Sequence, residues 1–280
     1  MISIRSARHA WPAPALAAAL WSLAAAAQPA TGLQTVVSGG TERNYLLHVP
    51  EGYRGDPVPL VLNFHGSGGV PENQLVTSHF DELADREGFA VAFPAGAFTN
   101  SLTARSWNAN VEPGVDDVQF ARDVIADVAA KLSIDSGRIY VTGFSGGGRM
   151  SSRLACELAD TLAAAAPVAG LQYPDGCRSA RPISLMSFHG KADQVNQYEL
   201  SDDSRPYWRM GIETAVERWR EAIGCPEDPD ITAGPGVEVR HWTGCSAGAE
   251  IELHVIEDGG HVWPETASEL IWAFFDRHSL

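Results

Sequence analysis

The stretch RIYVTGFSGGGRM, residues 138–150, decides how the chain is read. Arg138 to Thr142 is a short, largely apolar run suited to a buried strand, and the segment from Gly146 to Leu158 can form a helix directly behind it. Between them, Gly143-Phe144-Ser145-Gly146-Gly147 fits the pattern Gly-x-Ser-x-Gly, whose glycines permit a tight, strained turn that lifts the serine hydroxyl above a sheet. The bare pattern turns up by chance in on the order of one in ten glycine-rich chains of such length, so its setting carries the argument. Strand, turn and helix are the setting a nucleophilic serine requires. A dinucleotide loop would also place glycines there, but GFSGGG does not fit Gly-x-Gly-x-x-Gly, and Gly-Lys-Ser/Thr does not occur.

Outward from this segment, strands and helices alternate. Arg43 to His48, Pro59 to Phe64 and Ala90 to Phe93 read as strands, with helices over Asn73 to Glu87 and Asp117 to Leu132, the latter capped by Asp116. Later strands are expected at Ala165 to Val168, Ile183 to Phe188 and Ile251 to Ile256, and helices at Gly211 to Ile223 and Ala267 to Arg277. The Gly/Pro-rich segment Cys225 to Gly236 reads as a surface loop. The alternation predicts an α/β fold, a mostly parallel sheet with helices on both faces. With 280 residues, 45% of them hydrophobic, and neither internal repeats nor a Pro/Ser-rich linker, the chain is expected to form one catalytic domain over residues 28–280.

Arg5, Arg8 and His9 precede a mostly apolar run from Ala15 to Ala27, the pattern of a secretory signal peptide over residues 1–27. The run is shorter than the roughly 20 apolar residues a spanning helix needs, so no membrane span is expected. Export, to the periplasm or beyond the cell, makes disulfides reasonable. Neighbour pairing of Cys156 with Cys177 and of Cys225 with Cys245 would close loops of about 20 residues, each bridge worth on the order of 3 kcal/mol. The formal charge is −15, and loss of the leader would remove two arginines and no acid. Such a surface repels phosphate backbones, and no cluster of Lys and Arg offers an exception, which argues against nucleic acid as a partner. Neither Cys-x-x-Cys nor His-Glu-x-x-His is present, so no metal site is expected.

A serine hydroxyl attacks well only when a base takes its proton and an acid fixes the tautomer of that base. In the strand-turn-helix setting the order along the chain is serine, acid, histidine. Of the histidines after Ser145, His261 follows Asp258-Gly259-Gly260 on a glycine turn just beyond the strand Ile251 to Ile256. His254 lies inside that strand and His189 ends another, which suits packing better. Asp193, in His189-Gly190-Lys191-Ala192-Asp193, follows the strand Ile183 to Phe188 and is the candidate acid. Its rivals Asp202 and Asp203 stand in a polar stretch that reads as solvated. Backbone N–H donors for a developing oxyanion are expected from Gly146 and, in the loop His65-Gly66-Ser67-Gly68-Gly69, from Ser67.

Blocks spread along the chain carry a resemblance: HGSGG at 65–69, SWN at 106–108, GVDDVQF at 114–120, VTGFSGGGRM at 141–150, APVAG at 166–170, FHGKADQVNQY at 188–198 and GGHVWP at 259–264. In these the chain resembles the secreted polyhydroxybutyrate depolymerase and feruloyl esterase family, the LpqC-like esterases of the α/β-hydrolase superfamily. The resemblance implies an α/β-hydrolase fold, a triad of Ser145, Asp193 and His261, and hydrolysis of carboxylic esters through an acyl-enzyme without a cofactor. Relatives often carry a cysteine after the SWN block where this chain reads ANVEP at 109–113, so a disulfide some of them have there is missing. Trp107 and Trp263 belong to blocks beside the expected site and are candidate faces for an aromatic acyl group. Without a linker and polymer-binding module, small or oligomeric feruloyl-type and short hydroxyacyl esters are expected to serve better than polymer films. Polyhydroxybutyrate and acetylated xylan remain alternative substrates. A peptidase on the same triad and a non-catalytic binding protein are the more distant alternatives.

Overall fold

The computed structural model describes residues 1–2, 31–98, 104–110 and 112–280. Beyond its first two residues, the expected leader at 1–27 lies outside the described residues. The chain runs through β1 (Gly32–Ser38), β2 (Thr41–His48), β3 (Val58–Phe64), α1 (Pro71–Ser78), α2 (Phe80–Glu87) and β4 (Ala90–Pro94). The short β5 (Ala97–Phe98) and β6 (Arg105–Ser106) pair with each other and are followed by α3 (Asp117–Lys131), β7 (Ile134–Phe144), α4 (Gly146–Glu157) and β8 (Ala164–Val168). Then come β9 (Ser184–Gly190), α5 (Ile212–Ile223), β10 (Asp230–Gly234), β11 (Val237–Trp242), β12 (Ile251–Ile256) and α6 (Ala267–Asp276).

One ten-stranded sheet has the order β1-β2-β4-β3-β7-β8-β9-β12-β11-β10. Its centre, from β4 to β12, is parallel, and antiparallel pairs close both ends. This is the predicted sheet, arranged as an α/β-hydrolase fold in a single domain. The central strands are largely apolar because helices cover both faces, and successive side chains alternate between two cores. Leu60, Leu62, Ile139 and Val141 face the layer that holds α3, α4 and α5, whereas Val61, Tyr140, Met186 and Phe188 face α2 and α6. Parallel order puts the carboxyl ends of β3, β7, β9 and β12 on one edge, where the loops carrying Ser67, Ser145, Asp193 and His261 begin.

Several elements differ from expectation. The helix expected over Asn73 to Glu87 is two helices, broken at His79 with φ 49. A buried polar set, Asn63 to Ser78 at 3.0 Å and Gln74 to Asn63 at 2.8 Å, fixes the end of α1, and the break turns Phe80 inward against Phe89. Residues 230–234, expected in a loop, form the exposed edge strand β10, joined to β11 by a tight Pro235-Gly236 turn with Gly236 at φ 73. The edge strand β1, absent from the sequence reading, pairs with β2 across Gly39 and Gly40, both at positive φ. Asp116 caps α3 as expected, accepting the Gln119 N–H at 2.9 Å. No helix among the described residues is long and apolar enough to cross a membrane.

Both neighbour disulfides form, Cys156 with Cys177 and Cys225 with Cys245, and no cysteine is left free. Mass spectrometry of a non-reduced digest should therefore yield both linked peptides, and reduction should lower Tm through a loss on the order of 3 kcal/mol per bridge. A Cys156–Cys225 peptide, or a thiol titrating in the native protein, would contradict the pairing.

Candidate active site

The turn from β7 into α4 places Ser145 at φ 56, ψ −112, a conformation a side-chain-bearing residue adopts only when its surroundings impose it. Its N–H donates to Val168 O at 2.9 Å, and its carbonyl accepts the Arg149 N–H at 2.9 Å. The flanking glycines are required by contact. A β-carbon at Gly143 would lie 2.6 Å from Phe64 O, and one at Gly147 would fall on the Phe64 carbonyl itself.

His261 lies on the turn beyond β12, with Nε2 2.8 Å from Ser145 Oγ and Nδ1 2.7 Å from Asp193 Oδ2. With Nδ1–H donating to the carboxylate, Nε2 is left free to accept the serine proton. The two loops arise from adjacent parallel strands, Gly190 of β9 pairing with Ile256 of β12, and the Ala192 N–H donates to Gly259 O at 2.9 Å. Asp193 is buried and accepts the Val195 and Asn196 amides on Oδ1 at 2.7 and 2.9 Å. Burial disfavours its charge, but the bonds from His261 and from these two amides outweigh that and hold the carboxyl below its ordinary range.

The rival residues lie elsewhere. His189 is buried beneath Asp193, donates from Nε2 to Asn196 O at 2.7 Å, and is pushed down to about 4 by burial, hence neutral at pH 7. His254 pairs with Glu252 at 2.6 Å and stacks on Phe188, while Asp202 and Asp203 are exposed.

The loop after β3 abuts the start of α4, so that a β-carbon on Gly146 would lie 2.9 Å from the Ser67 nitrogen. Gly146 opens α4, where amides have no intrahelical acceptor. The next amides of the loop are engaged, Gly68 with Arg105 O at 2.7 Å and Gly69 with Gly66 O at 3.0 Å. His65 anchors this loop: Nε2 accepts the Gly96 N–H at 3.0 Å, leaving Nδ1–H for Gly66 O at 2.7 Å. Burial lowers its pKa to about 4 and keeps the ring neutral.

Trp107 is buried, donates to His65 O at 2.7 Å and borders the cleft. Trp263 does not line it, which corrects the expectation of a substrate-facing ring. Its indole packs edge-on against Phe80 and donates to Ser268 Oγ at 3.1 Å. The cleft, of about 900 Å³, is lined beside Ser145 and His261 by Phe144, Val195, Arg149 and Tyr207. Arg149 and Tyr207 escaped the sequence reading. Arg149 had a legible signal, standing four residues after Ser145 on the same helix face, whereas Tyr207 had none. No group of side chains that could hold a metal ion occurs among the described residues.

Residues 43–218 match the model of the family described as Esterase PHB depolymerase. Among curated proteins, "Feruloyl esterase B" of Piromyces equi is 34% identical over 85% of this chain and 46% of its own length. A "Bifunctional acetylxylan esterase/xylanase" of Neocallimastix patriciarum is 27% identical over 78% of this chain and 31% of its own. The chain thus spans less than half the length of either relative. Among solved structures, an acetyl xylan esterase from Aspergillus awamori superposes with a TM-score of 0.66 at 18% identity, covering 87% of this chain and 99% of that one, a likeness of fold.

Because the Asp193 carboxyl is held below its ordinary value of 3.8, its contribution to stability is complete above that pH and is lost as pH falls through the folded-state value. The Tm gap between the native chain and Asp193→Asn should be widest near neutrality and close only as the pH is lowered below about 4. A gap independent of pH would refute this.

Proposed function

The chain belongs to the esterase PHB depolymerase family, and from that footing we propose that it is a secreted serine carboxylic ester hydrolase acting through Ser145, His261 and Asp193. The observation that carries the reading is the unbroken run of hydrogen bonds from Asp193 through His261 to a serine held at φ 56. Ser145 Oγ attacks the ester carbonyl carbon as its proton passes to His261 Nε2, and Asp193 stabilises the imidazolium. The carbonyl oxygen, now an oxyanion, takes the Ser67 and Gly146 N–H groups. His261 returns the proton to the departing alcohol oxygen, leaving an acyl-serine. Water then gives a proton to His261 and attacks the acyl carbon, the acid leaves, and Ser145 regains its proton.

Feruloyl-type and other small aromatic or short hydroxyacyl esters suit the site, with Phe144 and Tyr207 offering ring faces in the cleft. Similarity to the feruloyl esterase of Piromyces supports the feruloyl reading, and similarity to the acetylxylan esterase/xylanase of Neocallimastix makes acetylxylan the alternative. Secretion is supported by the two disulfides and by the leader pattern over residues 1–27.

In folded Ser145→Ala and His261→Ala, kcat on an aryl acetate should fall by on the order of 10⁴ or more. Near-normal turnover by Ser145→Ala would refute the mechanism. On a panel of methyl ferulate, acetylated xylan and a hydroxybutyrate trimer, kcat/KM should be highest for methyl ferulate. Clearing of a polymer suspension without ferulate release would reverse that order.

A further inference from the structure

The chain has 35 acidic and 20 basic residues, so its cations have carboxylates to spare. Two arginines at the cleft nevertheless lack one. Arg149 stands one turn beyond Ser145 and is 8% exposed. Its Nη2 lies 3.4 Å from Ser67 Oγ, its guanidinium lies over the Tyr207 ring at 4.3 Å, and its Nε has no hydrogen-bond partner. Arg205 is exposed at the rim of the same cleft. Neither forms an ion pair among the described residues, and the remaining residues contain no Asp or Glu. The two acids of the cleft, by contrast, are engaged: Asp117 by Arg43 at 2.7 Å, and Glu112 by Arg209 at 3.6 Å.

A buried charge without a counter-ion is unfavourable, and becomes favourable when a ligand supplies the opposite charge. Arg149 and buried Gln172, whose Nε2 also has no hydrogen-bond partner, both border a recess of about 10 Å³ beside the cleft. The leaving alcohol oxygen must face His261 and the carbonyl oxygen the Ser67 and Gly146 amides, which leaves the acyl group as the substituent free to extend to Arg149.

We propose that Arg149, assisted by Arg205, binds a second carboxylate on the acyl group, so that half-esters of dicarboxylic acids are preferred over neutral esters of the same length. The inference rests on ester hydrolysis at Ser145 and adds the charge of the acyl group to it. A planar guanidinium accepts a carboxylate through paired N–H bonds, a geometry that no single ammonium reproduces.

The test measures kcat/KM for the monomethyl esters of succinic, glutaric and adipic acid, each against a neutral methyl ester of matched length. The native enzyme should prefer at least one half-ester by about tenfold or more, the scale of one charge-assisted contact, and Arg149→Met should abolish that preference. If Arg149→Met does not fold, Arg149→Lys, which keeps the charge without the fork, must lower the ratio. A second arm, calorimetry of glutarate with Ser145→Ala, should give saturable binding that weakens about tenfold in Ser145→Ala/Arg149→Met. Turnover that depends on Ser145, with no charge preference at any length and no Arg149-dependent glutarate binding, overturns the subsite alone. Absence of all ester turnover, or turnover surviving in Ser145→Ala, overturns the hydrolase reading, and the glutarate arm then still decides the subsite.

Discussion

At Gly143 and Gly147 the space a β-carbon would fill is occupied by the Phe64 carbonyl, at Gly148 by Val168 O, and at Gly170 by Ser145 O. This backbone-to-backbone contact draws β3, β7, β8 and the start of α4 together more closely than any side chain would allow. A single added methyl group would have to force main chain away from main chain, with little freedom to relax. The left-handed geometry of Ser145 is sustained by the same contact, since a serine at φ 56 persists only where neighbouring segments leave no alternative. The abutment of Ser67 on Gly146 follows from it, so the proposed nucleophile and both proposed oxyanion donors share one constraint.

Two buried histidines extend that constraint to the loops. His65 follows β3 and His189 lies at the carboxyl end of β9, and burial lowers both to about 4, so each is neutral and bonds to main chain. His65 ties the loop of Ser67 to Gly96 and, through its carbonyl, to Trp107. His189 holds Asn196 O, while the Asn196 side chain reaches Ala169 O at 2.6 Å and its N–H reaches Asp193. The carboxylate of Asp193, the proposed acid, is thereby positioned independently of its bond to His261. Neutral imidazoles suit the task because they supply directional bonds without adding charge beside the Asp193 carboxylate.

The apolar runs at Pro59 to Phe64, Arg138 to Thr142 and Ile183 to Phe188 were legible as central strands because a strand covered on both faces needs no polar alternation. The position of Ser145 on a strand-to-helix turn could be read from its glycines, and those of His261 and Asp193 on glycine-bearing turns at strand ends, where the backbone conformation is written locally. The break at His79 was not legible, since it answers to the distant Asn63 and to the packing of Phe80. Edge strand β10 escaped for a similar reason: all five of its residues are exposed, and its pairing with β11 leaves no pattern of hydrophobicity. Trp263 and Trp107 show the limit for the site. Proximity in sequence to His261 and to the SWN block could not tell a ring that packs against Phe80, or under His65, from one that faces a ligand. Arg149 lay in view beside the motif, but only the geometry of all the carboxylates reveals that none pairs with it.

The central claim is that glycine packing presents one reactive serine beneath two aligned amides. The crystal structure of the protein after reaction with a small alkyl phosphonate ester tests it most directly. Phosphorus should be bonded to Ser145 Oγ, with the phosphonyl oxygen about 2.7–3.1 Å from both the Ser67 and Gly146 nitrogens. An adduct on another serine, or one on Ser145 whose phosphonyl oxygen turns away from both amides, would contradict it.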